Sequence, residues 1–182
     1  MDETERNEMD NRHLREYQQL KIKHAKEGST RAQGDLFETK VASMFPEKYF
    51  TIVNYTPRRE DLSRRLCENA TDPDFLFRDN NTGEEFYIEC KYRSDEDWDC
   101  GLSLCEYYHL KKYRESHDIE TFFVIGYKGD PINPKTIFCI SAADLKYPKT
   151  TWPSKLENNK IYLSYFSSLK QLRDIPPVDW SY

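Results

Sequence analysis

The spacing of apolar residues changes along this chain from a helical repeat to a strand-like one, and the changes divide it into elements. Apolar positions that recur every three to four residues predict amphipathic helices, and short β-branched or aromatic runs predict strands. The run Thr121–Tyr127 is almost wholly apolar, which is typical of a strand buried on both faces. The predicted helices cover residues 29–45 and 102–116, and the predicted strands cover 49–55, 121–127 and 136–140.

Between the first strand and the second helix, the pattern predicts an antiparallel hairpin. The runs Asp74–Arg78 and Glu85–Tyr92 flank the turn cluster Asp79–Gly83, which contains Asn, Thr and Gly. If the hairpin folds symmetrically about the middle of this turn, Asp74 lies opposite Glu89. Directly opposed Cβ atoms in such a pair are about 4.5–5.5 Å apart. The sequence therefore predicts two carboxylates side by side on neighbouring strands.

Alternation along the second strand of the hairpin divides its side chains between two faces. Glu89, Lys91 and Arg93 share one face, whereas Cys90 lies in the apolar layer on the other. Two carboxylates this close repel each other, and a divalent cation between them turns the repulsion into binding. Mg²⁺ prefers oxygen ligands and often takes one or two protein carboxylates together with substrate phosphates. We therefore expect Mg²⁺ or Mn²⁺ on Asp74 and Glu89, with the Cys90 carbonyl as a third oxygen.

Lys91 completes a possible hydrolytic site beside the two carboxylates. Its ammonium can hold an attacking water or help to deprotonate it, and its charge favours a phosphate. The alternative is a surface hairpin in which Lys91 forms an ion pair with Asp74 or Glu89. An isolated Glu-x-Lys is common and says little alone, but a preceding Pro-Asp at the start of a strand makes the combination much rarer.

The motif Pro73-Asp74, followed by Glu89-Cys90-Lys91, resembles that of the PD-(D/E)xK nuclease superfamily, which has the restriction-endonuclease-like fold. The resemblance covers residues 29–145 and includes Glu38, which looks like the glutamate on the first helix of that superfamily. The alternative for Glu38 is an acid in the first half of a helix that the helix dipole favours. It implies an α/β fold with an αβββαβ core, in which a mixed central sheet is flanked by helices. It also implies a metal-dependent deoxyribonuclease, an endonuclease, with Asp74, Glu89, Lys91 and Glu38 as catalytic residues.

Two alternatives stay open beside DNA hydrolysis. One is a non-catalytic module of the same fold that binds nucleic acid or protein, in which the carboxylates are structural. The other is a nuclease that acts on RNA, which ranks lower because no stacking motif of the single-strand RNA modules is evident.

The net charge of the chain argues against DNA binding, whereas local clusters of basic residues favour it. With 27 basic and 32 acidic residues the net charge is −5, whereas nucleic-acid-binding proteins usually carry a basic surface. Basic residues nevertheless cluster around Arg58 and Arg59 and around Lys111. Together with Arg93 they are the predicted DNA contacts, although each cluster is more often a solvated surface.

Composition limits the cellular setting and the number of domains. The 182 residues suffice for one domain with appendages: a charged helical arm over 1–28, the nuclease-like core over 29–145, and a C-terminal appendage over 146–182 packed on the core. No apolar run approaches the roughly 20 residues of a membrane span, and the charged start is unlike a signal peptide. The five cysteines lack a repeated C-x-x-C, which favours reduced thiols and a cytoplasmic protein.

Two further expectations concern a second metal and a second subunit. Cys100, Cys105 and His109 could form part of a zinc site, but a convincing fourth ligand is missing from the sequence pattern. A homodimer is also open, because enzymes that cut both DNA strands often need two sites.

Overall fold

The computed structural model describes residues 30–56, 72–94, 101–115, 119–149 and 151–181. The predicted N-terminal arm, the arginines Arg58 and Arg59, and Cys100 lie outside these ranges. The α-helices are α1 (Thr30–Ser43), α2 (Tyr107–Glu115) and α3 (Leu169–Arg173), and a 3₁₀ helix spans Pro153–Asn159. The strands are β1 (Phe50–Tyr55), β2 (Phe75–Asp79), β3 (Glu85–Arg93), β4 (Glu120–Asp130) and β5 (Asn133–Ser141).

The five strands form one mixed sheet in the order β1-β2-β3-β4-β5. The β1–β2, β2–β3 and β4–β5 pairs are antiparallel, whereas β3 and β4 run parallel. A parallel pair needs a crossover connection, and α2 lies in that connection. The predicted α/β class with a mixed sheet is confirmed. Within the described ranges, every helix is too short or too polar to cross a lipid bilayer.

Strand alternation sends the apolar side chains of the sheet into two separate cores. One core contains α1 and the side chains of Phe86, Ile88, Cys90 and Tyr92 from β3. The other contains α2 and alternate β4 residues such as Phe123 and Ile125. Cys90 therefore lies in the apolar layer as predicted, and Glu89 and Lys91 belong to the α2 side.

Helix α1 approaches the sheet closely because β4 has a glycine beneath it. A Cβ on Gly126 would lie 2.4 Å from a ring carbon of Phe37, which is far inside van der Waals contact. The Phe37 ring also packs on Tyr92 at a centroid distance of 6.0 Å. These contacts fix the position of α1 against β3 and β4, and with it the position of Glu38.

The C-terminal region packs on both cores. Phe166, Leu169 and Leu172 join the α1-side core, and Leu156 and Val178 join the α2-side core. The backbone N–H of Leu169 donates to Oδ2 of Asp79 at 2.6 Å, which ties the start of α3 to the end of β2.

Two sequence predictions of secondary structure were wrong. The second helix begins at Tyr107 rather than Leu102, because Leu102 instead exchanges backbone hydrogen bonds with Thr151. Residues 161–166 are irregular rather than a strand, since Ile161 N–H donates to Ile137 and Phe166 N–H donates to Met44, two separate elements. The predicted ends of the other elements differ from the observed ones by up to three residues.

Candidate active site

The β2–β3 hairpin has the predicted register. Phe75 pairs with Ile88 and Arg78 with Glu85, so the next position beyond Phe75 puts Asp74 opposite Glu89. The turn closes through hydrogen bonds from Gly83 N–H to the Asp79 carbonyl and from Asp79 N–H to the Glu84 carbonyl. Gly83 has φ of +76°, which a residue without a Cβ adopts without strain. A slip of one residue would have separated the two carboxylates onto opposite faces.

Asp74 is held at the point where β2 begins. The backbone N–H of Cys90 donates to its Oδ2 at 2.7 Å, and Thr56 N–H donates to its carbonyl at 2.9 Å. The Thr56 hydroxyl donates to the Pro73 carbonyl at 2.7 Å. The Asp74 side chain thus takes a place that a strand carbonyl would otherwise fill, and it remains partly accessible to solvent.

Pro73 determines what the Cys90 carbonyl can contact on the β2 side of β3. Continued two steps beyond Phe75, the register puts Pro73 opposite Cys90. In an antiparallel sheet, a hydrogen-bonded residue directs its N–H and C=O to the same neighbouring strand. Because the Cys90 N–H donates to Asp74, its carbonyl lies on that side too, and Pro73 has no N–H to offer it.

Glu89 is buried on the α2 side of the sheet, where two donors hold its carboxylate. The Lys91 ammonium donates to Oε1, and the Tyr113 hydroxyl of α2 donates to Oε2 at 3.3 Å. Helical spacing indicates that Tyr113 faces inward, but no sequence signal identifies what its hydroxyl contacts. Sequence reasoning therefore missed Tyr113 as a site residue.

The charges at the site are unbalanced toward the negative. Burial raises the pKa of Asp74 well above its ordinary value, and the Glu89 and Glu38 carboxylates raise it further. Lys91 and the Cys90 N–H oppose this pKa shift without cancelling it. Burial alone would lower the pKa of Lys91, but the charges of Glu89 and Asp74 outweigh burial and the net shift is upward. Lys91 is therefore an ammonium here, and Asp74 carries an excess of neighbouring negative charge.

The donor set fits a hard divalent cation. The carboxylates of Asp74 and Glu89 on neighbouring strands, with the Cys90 carbonyl, would supply oxygen ligands, and a cation would relieve the repulsion that, after burial, raises the pKa of Asp74. Over the described ranges, no group of three or more His, Cys, Asp and Glu side chains is arranged to hold a metal. Any such site therefore rests on two side chains, a carbonyl, water and substrate.

Glu38 lies on α1, which packs on the face of β3 opposite Glu89, and its charge reaches Asp74. It is buried on α1, and its charge contributes to the raised pKa values of both Asp74 and Cys90. It does not form a three-carboxylate ligand group with Asp74 and Glu89. Its part at the site is electrostatic in this structure.

The predicted zinc ligands are only partly within the described residues, since Cys100 is not among them. Burial, followed by the charge of Glu89, raises the pKa of the Cys105 thiol to about 11. A thiol that keeps its proton is a weaker metal ligand, because thiolate is the binding form. Cys105 therefore lies in the surroundings of Glu89 as a neutral group.

The residues predicted to contact DNA differ in their contacts within the protein. The Arg93 guanidinium donates to the Ser103 carbonyl at 2.9 Å through Nε and thereby ties β3 to the segment before α2. Lys111 is exposed on α2, with Glu115 3.8 Å away. Its neighbour Lys112 forms a 2.6 Å ion pair with Asp72, two residues before Asp74. Arg58 and Arg59 lie outside the described residues.

Compared with protein-family models, curated proteins and solved structures, the chain matches none of them.

Proposed function

We propose that this chain is a metal-dependent nuclease of the PD-(D/E)xK type, an endonuclease that hydrolyses phosphodiester bonds of DNA by attack of an activated water. The observation that carries the proposal is the hairpin register, which brings Asp74 and Glu89 together with Lys91. The chain order of α1, β1, β2, β3, α2 and β4 is also the αβββαβ order of that superfamily's core.

Each residue has a defined part in the proposed reaction. Asp74 and Glu89, with the Cys90 carbonyl, would hold a Mg²⁺ or Mn²⁺ ion, which would lower the pKa of a bound water and stabilise charge developing on the phosphate. Lys91, kept protonated by its neighbours, orients the water and contacts a phosphate oxygen. Glu38 adds negative charge that favours the cation. Arg93 and Lys111 lie on the elements beside the site, where they can contact the phosphodiester backbone.

The Glu89–Lys91 ion pair also favours a second candidate, a non-catalytic interaction module. Both charged groups are satisfied by each other without a cation, as a purely structural pair would be. The two candidates differ in what they predict for Asp74, because a structural role gives no reason to place a third charge next to this pair.

Cleavage of supercoiled plasmid, labelled duplex and RNA oligonucleotides, with Mg²⁺, Mn²⁺ or EDTA, tests the proposal. Asp74→Asn keeps an oxygen for the Cys90 N–H, and Lys91→Met keeps most of the side-chain volume. We expect both variants to lose about 100- to 1,000-fold in the rate of DNA cleavage. Asp174→Asn and Lys170→Met, partners in an exposed ion pair on α3, are the matched controls and should cleave as the wild type does.

The outcomes separate the candidates. Cleavage of DNA by Asp74→Asn at the wild-type rate would place the activity elsewhere. A wild-type protein that cleaves only RNA would overturn the choice of substrate. If the wild type cleaves neither nucleic acid and binds no Mn²⁺, the interaction module is the better account.

A further inference from the structure

Two consecutive residues of helix α2 contact acidic residues at or near the site. Lys112 binds Asp72, and Tyr113 donates its hydroxyl to Glu89 Oε2. Tyr113 is 7% exposed and Glu89 is 5% exposed, so this hydrogen bond is shielded from water. The oxygen–oxygen distance of 3.3 Å is long for such a bond, so its value to the site lies in orientation rather than in strength.

The Tyr113 ring is held firmly enough to orient its partner. It stacks on His109, one helical turn earlier, with centroids 6.1 Å apart and planes 8° apart. Its other neighbour is Phe123, at a centroid distance of 6.0 Å. Phe123 is the β4 residue paired with Glu89, so the ring rests on the strand beside the carboxylate that it contacts.

The two donors on Glu89 are not equivalent. Lys91 is on the same strand and has a flexible side chain, whereas Tyr113 is fixed by packing. In the proposed reaction Lys91 would turn toward water and phosphate; Oε1 of Glu89 would then be free for a cation, and Tyr113 would be the remaining contact. We propose that Tyr113 is a positioning residue that holds Oε2 of Glu89, so that Oε1 would be the oxygen offered to a metal ion. This inference rests on the proposed function.

Calorimetric titration with Mn²⁺, in the absence of nucleic acid, tests the inference without relying on activity. Tyr113→Phe removes only the hydroxyl. Tyr92→Phe is its matched control, because Tyr92 is 9% exposed, donates its hydroxyl to the Gly129 carbonyl and packs on the opposite face of β3. We expect Tyr113→Phe to raise the Kd for Mn²⁺ about 10-fold, as loss of an outer partner of a metal ligand usually does, and Tyr92→Phe to leave it unchanged.

A cleavage assay with varied Mn²⁺ gives a second reading. Tyr113→Phe should need about 10-fold more Mn²⁺ for half-maximal activity and should recover most of its rate at saturation. Thermal unfolding of both variants shows whether either has lost its fold. If both variants lose the same stability, a difference between their Mn²⁺ affinities reflects the metal site and not a general loss of structure.

Each outcome decides the matter. If the wild type binds Mn²⁺ and cleaves DNA while Tyr113→Phe binds Mn²⁺ with the wild-type Kd, the role of Tyr113 is wrong and the nuclease proposal stands. If Tyr92→Phe weakens Mn²⁺ binding as much as Tyr113→Phe does, the effect is general and the positioning role is also wrong. If the wild type neither binds Mn²⁺ at millimolar concentration nor cleaves nucleic acid when Mn²⁺ is present, both proposals fail together.

Discussion

Strand β2 has an aspartate at each end, and the fold treats the two differently. Asp79, at the end, is fully buried and receives two backbone N–H groups: Asn81 donates to Oδ1 at 2.8 Å and Leu169 to Oδ2 at 2.6 Å. Asp74, just before the start, receives the N–H of Cys90 but lies beside the carboxylates of Glu89 and Glu38. Asp79 has an N–H donor on each oxygen, whereas Asp74 has two carboxylates as well as the Lys91 ammonium beside it.

We therefore expect the Asp79 carboxylate to stabilise the fold and the Asp74 carboxylate to destabilise it. Hydrogen bonds to a charged group contribute about 1.5–3 kcal/mol each, and leaving a buried donor without a partner is costly. Asp79 contributes in this way to the hairpin turn and to α3. Burial and the neighbouring carboxylates raise the pKa of Asp74 and so disfavour its charged form in the folded state, which a bound cation would offset.

The largest expected effect in this comparison concerns stability. Asp79→Asn replaces one acceptor oxygen with an NH₂ group. Because that NH₂ group cannot accept a hydrogen bond, the backbone N–H group that it faces loses its partner. We expect the free energy of unfolding, measured by urea denaturation, to fall by about 2 kcal/mol. Asp74→Asn, which removes repulsion, should leave this free energy at or above the wild-type value. A larger loss for Asp74→Asn than for Asp79→Asn would reverse the assignment.

The next effect is stabilisation by metal. A cation that binds only the folded protein raises the free energy of unfolding by about 1.4 kcal/mol at ten times its Kd. We expect Mn²⁺ to stabilise the wild type and Asp79→Asn by this amount, and to have no effect on Asp74→Asn. Thermal unfolding with Mn²⁺ or EDTA measures it. Equal stabilisation of all three proteins would show that the ion binds at a different place.

The smallest expected change in the free energy of unfolding concerns Asp174. Asp174 pairs with Lys170 on the surface of α3, where both side chains are largely exposed. Exposed ion pairs contribute little, so Asp174→Asn should change the free energy of unfolding by less than about 0.5 kcal/mol. The same urea denaturation, run at low and high salt, checks this. A loss as large as that of Asp79→Asn would mean that burial does not explain the difference among these residues.

The sequence predicts the Asp74–Glu89 pair well because the signals are local. An Asn- and Gly-containing turn sets the register, and alternation sets the faces, so Asp74, Glu89, Lys91 and Cys90 could be placed from a stretch of about 20 residues. Strand β4 was predicted for the same reason, since its apolar run is continuous. The nuclease activity itself stays a proposal.

Contacts between distant segments could not be predicted from the sequence. Nothing near Asp79 indicates that Leu169, 90 residues later, donates to it. The late start of α2 depends on the pairing of Leu102 with Thr151. The alternation in residues 161–166 is strand-like, although none of the strands in the described ranges pairs along it. The Tyr113 contact is of this kind too, because a helix stripe shows which side is buried but not what it meets.

Anomalous diffraction from a crystal grown with Mn²⁺ would show where the ion binds. We expect one strong peak between the carboxylates of Asp74 and Glu89, within ligand distance of the Cys90 carbonyl and with the Lys91 ammonium moved off Glu89. At saturating Mn²⁺, a peak elsewhere on the protein, or unoccupied carboxylates with Lys91 still bound to Glu89, would contradict this prediction.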